Sequence, residues 1–506
     1  MLNKLAGVGG LFAPRNVHPL ADARELQEII DALPRNNPLK ALDEITGWLD
    51  SLIAAVDIPG ERFFDAVQQL EKASVQPLRR VAGDYLHASR LARSEEKRLW
   101  SVSHGCWRLL ADAYERIAEQ PGLKSILLPA ACSGMVAAIR NQIRWEQYHY
   151  GPTDAALWRR MGRIVLMAEQ ADCADRLVRG PDEQMRSVNG EYLHAMAFQA
   201  ASVDSLLPLE IDLADHLIAH FIGGCVITRE AEHDSVYWVD LALPKPPLRL
   251  ARMPAEATAS QRFFKPIEAA ESFRLLLQRL ELGEDMPHEI NLNGLFSTRQ
   301  IMPVLHHLAA YLAPVPPQRQ DARHQVKHRM AVLHGLVNAY VAFSGEFGGK
   351  PAGLQIESWV VENVSRGGIG ARVTAVPGEW LKVGVLLALQ PEGGDNWLLG
   401  CVRRYLRYTD NELRIGVETL ARSAVSLELQ LQSSGSRPLP GGIPGLLLMD
   451  GNAADEFRLV LPLHTFDPKD PLQCSVNGQP ARYEPLSMIE QFADYEIARY
   501  RRADQV

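Results

Sequence analysis

Two short arrangements in this sequence carry side chains suited to gripping an anion with flat rings. The first is Arg319-x-x-x-Arg323, inside the Pro- and Arg-rich stretch 314–329, which is net basic within an acidic chain. The second is Asn363-Val-Ser365-Arg-Gly367-Gly368. Guanidinium groups fork onto phosphate oxygens or a purine edge and stack on aromatic planes. Asn363 offers both a donor and an acceptor, as a purine edge requires, and Ser365 can donate to phosphate or brace a turn. Gly367, Gly368 and Gly370 are expected to take positive φ and to let a ligand approach the backbone closely. Each arrangement alone is weak evidence. An arginine-rich linker is ordinarily just solvated, and Asn, Ser and Gly also make plain tight turns.

Other candidates read more simply as structure. His216 and His220 stand four apart near Glu210 and Asp215, but a third metal ligand at suitable spacing is missing, so no metal site is expected. His306 and His307 lie on an apolar helical stretch. Gly7-Val-Gly-Gly10 lacks the preceding strand and following Lys-Ser/Thr of a phosphate loop. Arg159 and Arg160 with Trp145 and Trp158 read as packing and a solvated edge. No Ser-His-Asp, Cys-His or paired-carboxylate set stands out, so no catalytic residues and no enzyme are expected.

The chain of 506 residues is too long for one core. It is 47% hydrophobic and 23% charged, with 53 Lys+Arg against 61 Asp+Glu and a net charge of −8. Such a balance argues against a DNA or RNA partner, which needs a basic face to displace counterions. Six scattered cysteines without a C-x-x-C pair fit a reducing compartment. No run reaches the length of a spanning helix, so the expectation is a cytoplasmic protein without membrane insertion.

Residues 1–19 read as a disordered lead-in. From 20 to 204 the pattern is helical, forming a bundle or solenoid. Its clearest helix starts at Asn37 as N-cap with Pro38 first inside, and gathers Leu39, Leu42, Ile45, Trp48 or Leu49, Leu52, Ile53 and Val56 on one face. Further helices are expected around 62–73, 98–119, 131–148, 154–178 and 187–202. Residues 205–313 form a mixed α/β transition, with strands over 216–228 and 234–243 and helices over 265–282 and 297–313. From 314 to 422 the texture becomes an arginine arm and six short strands (330–343, 356–364, 369–375, 381–389, 397–408, 413–420), the mark of a small antiparallel barrel. Residues 423–506 form a second small β-rich domain ending in a helix over 485–503. The fold class is thus multidomain α + β.

Residues 319 to 422 resemble the PilZ family, on Arg319-x-x-x-Arg323, on Asn363-x-Ser365-x-x-Gly368, and on the late pair Leu399-Gly-Cys-Val-Arg403-Arg-Tyr and Leu413-Arg-Ile-Gly416-Val-Glu. That resemblance implies a six-stranded barrel binding cyclic di-GMP, with no other cofactor, through Arg319, Arg323 or Arg329, Asn363, Ser365, Gly367 and Gly368. The second motif arginine stays open between Arg323 and Arg329, because strand character in the sequence resumes only after Arg329. It further implies a receptor that relays the messenger to a protein partner through the helical region, in motility, pilus or biofilm control. The alternatives are a degenerate PilZ barrel serving as a ligand-independent protein scaffold, or an enzyme hidden in residues 20–310. The second β-rich block lacks the motif pair and is assigned no ligand.

Overall fold

The computed structural model describes residues 18–56, 58–87, 91–251, 253–287, 290, 296–318, 321–344, 355–374, 380–409, 411–429, 443–450, 455–476 and 479–503. They form two compact units. One takes the chain up to His149 with Thr153–Val203 and Pro208–Pro316; the other takes Tyr150–Pro152, Asp204–Leu207 and Pro317 onward.

The first unit is mainly helical: α1 (Ala23–Asp31), α2 (Pro38–Ala54), α3 (Gly60–His87), α4 (Arg93–Ala118), α5 (Leu128–Tyr148), α6 (Ala155–Gln170), α7 (Val188–Ala200) and α8 (Pro208–Phe221), with a small ribbon of β1 (Val178–Arg179) and β2 (Met185–Arg186) before α7. Asn37 caps α2, its side chain accepting from the Lys40 N–H at 3.1 Å, and Pro38 opens the helix without losing a bond it could have made. Leu42, Ile45, Leu49 and Leu52 are fully buried. Leu49 rather than Trp48 faces the core, and Val56, beyond the helix end, is 85% exposed. Charge is buried here only in company. Glu71 on α3 accepts from Arg186 Nη1 at 3.2 Å and from the Tyr114 hydroxyl. Asp215 on α8 accepts from His194 at 2.8 Å and Arg144 at 2.7 Å, with Arg140 at 3.4 Å.

The strand expected over 216–228 is corrected: α8 runs to Phe221 because Leu213, Ala214, Leu217 and Ile218 bury one helical face, and only β3 (Val226–Thr228) is extended. β4 (Tyr237–Asp240), β5 (Leu248–Arg249) and β6 (Gln261–Lys265) complete a sheet of order β3-β6-β4-β5. α9 (Ile267–Glu281) and α10 (Thr298–Tyr311) follow, the latter opened by a Ser297–Gln300 capping box. Among the described residues no helix is long and apolar enough to cross a membrane.

The second unit holds two closed antiparallel barrels. The first contains β7 (His324–His334), then, after helix α11 (Leu336–Phe343), β8 (Glu357–Val364), β9 (Gly368–Thr374), β10 (Leu386–Pro391), β11 (Leu398–Thr409) and β12 (Glu412–Ala421), in the order β10-β11-β12-β9-β8-β7 with β10 pairing back to β7. The second contains β13 (Ala424–Leu429), β14 (Ile443–Leu448), β15 (Glu456–Pro462), β16 (Leu472–Val476), β17 (Gln479–Gln491) and β18 (Tyr495–Arg502), closed by β13 on β16. Full closure leaves neither sheet with an open edge.

Two expectations change here. The single strand expected over 330–343 ends at His334, because Gly335 turns with φ +85° and the apolar run after it coils into α11. The terminal helix expected over 485–503 is instead β17 and β18. Pro485 lies within the run, and Tyr495, Ile497 and Ala498 pack into barrel cores. α11 contributes Leu336, Ala339 and Ala342 to a cluster holding Leu386 and Ala388 of β10 together with Leu446, Leu448, Val460 and Ile497 of the second barrel. The two barrels thus share core.

Candidate functional site

β7 starts at His324, immediately after Arg323, six residues earlier than the apolar pattern suggested. Its first half is polar and mostly exposed, and what holds it is backbone pairing to β8, with His324 opposite Val364 and Gln325 opposite Asn363. This start sets Arg323 beside the turn that follows β8. There the Ser365 N–H donates to the Gly368 carbonyl at 2.8 Å and the Ser365 hydroxyl donates to the same oxygen at 3.3 Å. The Thr419 N–H donates to the Gly367 carbonyl at 3.0 Å, pinning the turn to β12.

A cleft of about 280 Å³ opens at this point, and Arg323, Ser365, Gly367 and Gly368 all line it. Asn363 is not among the lining residues; its amide rests on Gly370. Gly370 pairs with Gly416, which lines the cleft. The Asn363 side-chain oxygen is buried and accepts no hydrogen bond within the protein. Arg329 is not gathered in: it stands on β7 opposite Val360, its Nη1 donating to Ser358 Oγ at 3.3 Å. Arg319 lies outside the described residues.

Gly368 and Gly370 serve close approach, and none of the three motif glycines takes the left-handed backbone expected of it, since the positive-φ glycines among the described residues are Gly122, Gly283, Gly335, Gly384 and Gly393. A Cβ on Gly368 would stand 2.5 Å from the Val417 carbonyl oxygen, and one on Gly370 would stand 2.6 Å from the Asn363 amide. A Cβ on Gly367 would meet only Asp321 Oδ2, at 3.7 Å.

The sequence motifs assign no role to Arg403, Arg404, Asp321 or Glu418, which also line the cleft. The β11–β12 ladder steps from Val402 opposite Val417 to Arg404 opposite Gly416, which leaves Arg403 as an extra residue at a bulge. Successive side chains on a regular strand face opposite ways, and a bulge re-aims one of them. Two adjacent arginines therefore reach one cleft. The adjacent pair Arg403-Arg404 was the available signal; the bulge that unites them shows only in the register. Arg403 Nε donates to Glu418 at 2.6 Å. Burial works against its charge, yet its hydrogen bond to Glu490 and the carboxylates around it hold the guanidinium above its ordinary range. Three arginines against Asp321 and Glu418 leave the cleft lining net positive. A second hollow, about 330 Å³ among α1, α2 and α3, is lined mostly by apolar groups such as Leu33, Ala41 and Pro77. Among the described residues no group of three or more His, Cys, Asp or Glu could hold a metal ion.

The chain thus places a helical unit before paired six-stranded barrels, and the Asn363-x-Ser365-x-x-Gly368 turn and Arg323 meet beside one cleft of the first barrel. Residues 24–232 match the family model described as the N-terminal domain of the cyclic-di-GMP receptor FimW. The match runs from α1 through β3 and so lies within the mainly helical unit. No curated protein matches the chain.

Proposed function

We propose that this protein is a cyclic di-GMP receptor that takes the messenger in the cleft of its first barrel and relays occupancy to a protein partner through its helical region. The observation that carries the reading is the convergence of Arg323 with the Ser365–Gly368 turn, beside the unmet acceptor of Asn363. Arg323 forks onto a phosphate, Arg404 faces the same anion, and the Asn363 oxygen accepts from a guanine N–H. The cleft volume is near the lower end for small-molecule sites, so it houses part of a cyclic dinucleotide. Because Arg323 directly precedes β7, a ligand held there also fixes the path of the chain entering the barrel. The output is control of motility, pili or biofilm, and the site of action is the cytoplasm.

Asp321 and Glu418 in the lining favour the competing reading, a barrel retained as a protein scaffold, since carboxylates oppose phosphate. Calorimetry with cyclic di-GMP separates the two. A receptor binds, Arg323→Ala weakens binding about 10- to 100-fold, and Arg329→Ala stays within about two-fold of wild type. No heat of binding at high micromolar ligand would leave the scaffold.

A further inference from the structure

Arg403 of the cleft also reaches the second barrel. Its Nη2 donates to Glu490 Oε2 of β17 at 2.6 Å, and its Nη1 donates to the other oxygen of the same carboxylate. Its guanidinium also lies 5.3 Å over the ring of Phe492, between β17 and β18. Phe492 is wedged in place: it stacks on Tyr495 with ring centroids 4.5 Å apart, and a Cβ on Gly384 would stand 2.9 Å from it. Glu490 too follows a register irregularity, between Met488 and Glu490 on β17. Two strand irregularities, one in each barrel, therefore bring a guanidinium and a carboxylate face to face at the edge of the cleft.

A carboxylate gripped by both ends of a guanidinium occupies the geometry in which the same fork grips phosphate. Both side chains stay about one-third exposed (33% and 35%), so the pair is within reach of a solute and only modestly stable. We propose that Arg403 is exchanged between Glu490 and a phosphate of the bound dinucleotide, so that filling the cleft frees β17 of the second barrel. This deepens the receptor reading and rests on it: Arg403 becomes a ligand-binding group, and the motif-less second barrel becomes the element that senses occupancy. Glu418, which holds Nε, keeps the side chain at the cleft while its fork changes partner.

The exchange makes Glu490 a competitor of the ligand. Removing its charge raises affinity, where a merely structural clamp would leave affinity unchanged or lower it. The experiment uses the full chain, cyclic di-GMP calorimetry, and hydrogen exchange of the backbone amides of 487–492. Wild type gains roughly three-fold or faster exchange in that segment on binding. Glu490→Gln binds about two- to five-fold tighter and exchanges fast with or without ligand. Arg403→Ala binds about ten-fold weaker, and its β17 no longer responds to ligand. Binding by wild type with Glu490→Gln no tighter, or with β17 exchange unaltered, overturns the exchange while leaving the receptor intact. No binding by wild type overturns both.

Discussion

Replacing Gly370 by alanine tests the candidate site without removing any group that would touch a ligand. The new methyl would stand 2.6 Å from both the oxygen and the nitrogen of the Asn363 amide and 2.9 Å from its carbon. Non-bonded heavy atoms settle at about 3.5 Å or more, so the amide must retreat by roughly 1 Å. The Asn363 oxygen is a buried acceptor that the protein leaves unmet, and a guanine N–H is the donor proposed for it. Losing alignment there forfeits about 1–2 kcal/mol, or about a 5- to 30-fold rise in Kd. Asn363→Ala is the matched comparison, because it removes the acceptor that Gly370→Ala only displaces. Calorimetry of both variants against cyclic di-GMP should give a comparable weakening, about 5- to 30-fold. Thermal melting checks that both barrels stay folded. Equal affinity for Gly370→Ala and wild type would refute the assignment of Asn363, and a loss in Gly370→Ala far beyond that in Asn363→Ala would refute the steric argument.

Two further predictions concern the helical unit. Glu71→Leu alone should cost about 3–5 kcal/mol in urea denaturation, because it strands Arg186, whose side chain is 7% exposed; adding Arg186→Met should recover part of the loss, and a double variant worse than the single would contradict this. Acid sensitivity should trace to His194, whose pKa burial, aided by Arg140, lowers from 6.5 even though Asp215 pulls the other way. The unfolded chain then takes up a proton near pH 6.5 that folded His194 refuses, so its contribution is complete above that pH and is lost as pH falls through the lowered value. The slope is at most about 1.4 kcal/mol per pH unit, and His194→Gln should flatten the urea midpoint between pH 7.5 and 5.5; an unchanged slope would exclude His194 as the cause.

Where apolar residues face a core, the sequence announced the fold. The Asn37 cap and the spacing of Leu42, Ile45, Leu49 and Leu52 located α2, and short apolar runs between turns located most of the first barrel. It was silent where backbone pairing alone does the holding. The stretch from His324 to Arg329 is largely exposed and polar, so no periodicity marked β7, and the place of Arg323 relative to the barrel stayed open. The C-terminal stretch looked like a charged surface helix because Glu490, Asp494, Glu496 and Arg499 punctuate it. Glu496 is in fact 1% exposed, its carboxylate accepting from the backbone N–H groups of His464 and Phe466. In the site, Ser365, Gly367 and Gly368 were legible as a motif. Arg403 entered only as part of a family likeness, because a bulge is a property of register between two strands and leaves no mark on either one.

The helix wedged after β7 has a practical corollary for anyone dissecting the molecule. Because Leu336, Ala339 and Ala342 are sandwiched with residues from both barrels, a polypeptide stopped after Ala421 would bare the greasy side of α11 to water. Such a fragment should clump instead of standing alone. Duplication or transplantation of this module would have to carry residues 321–503 as a pair, and heating should melt the pair in a single step.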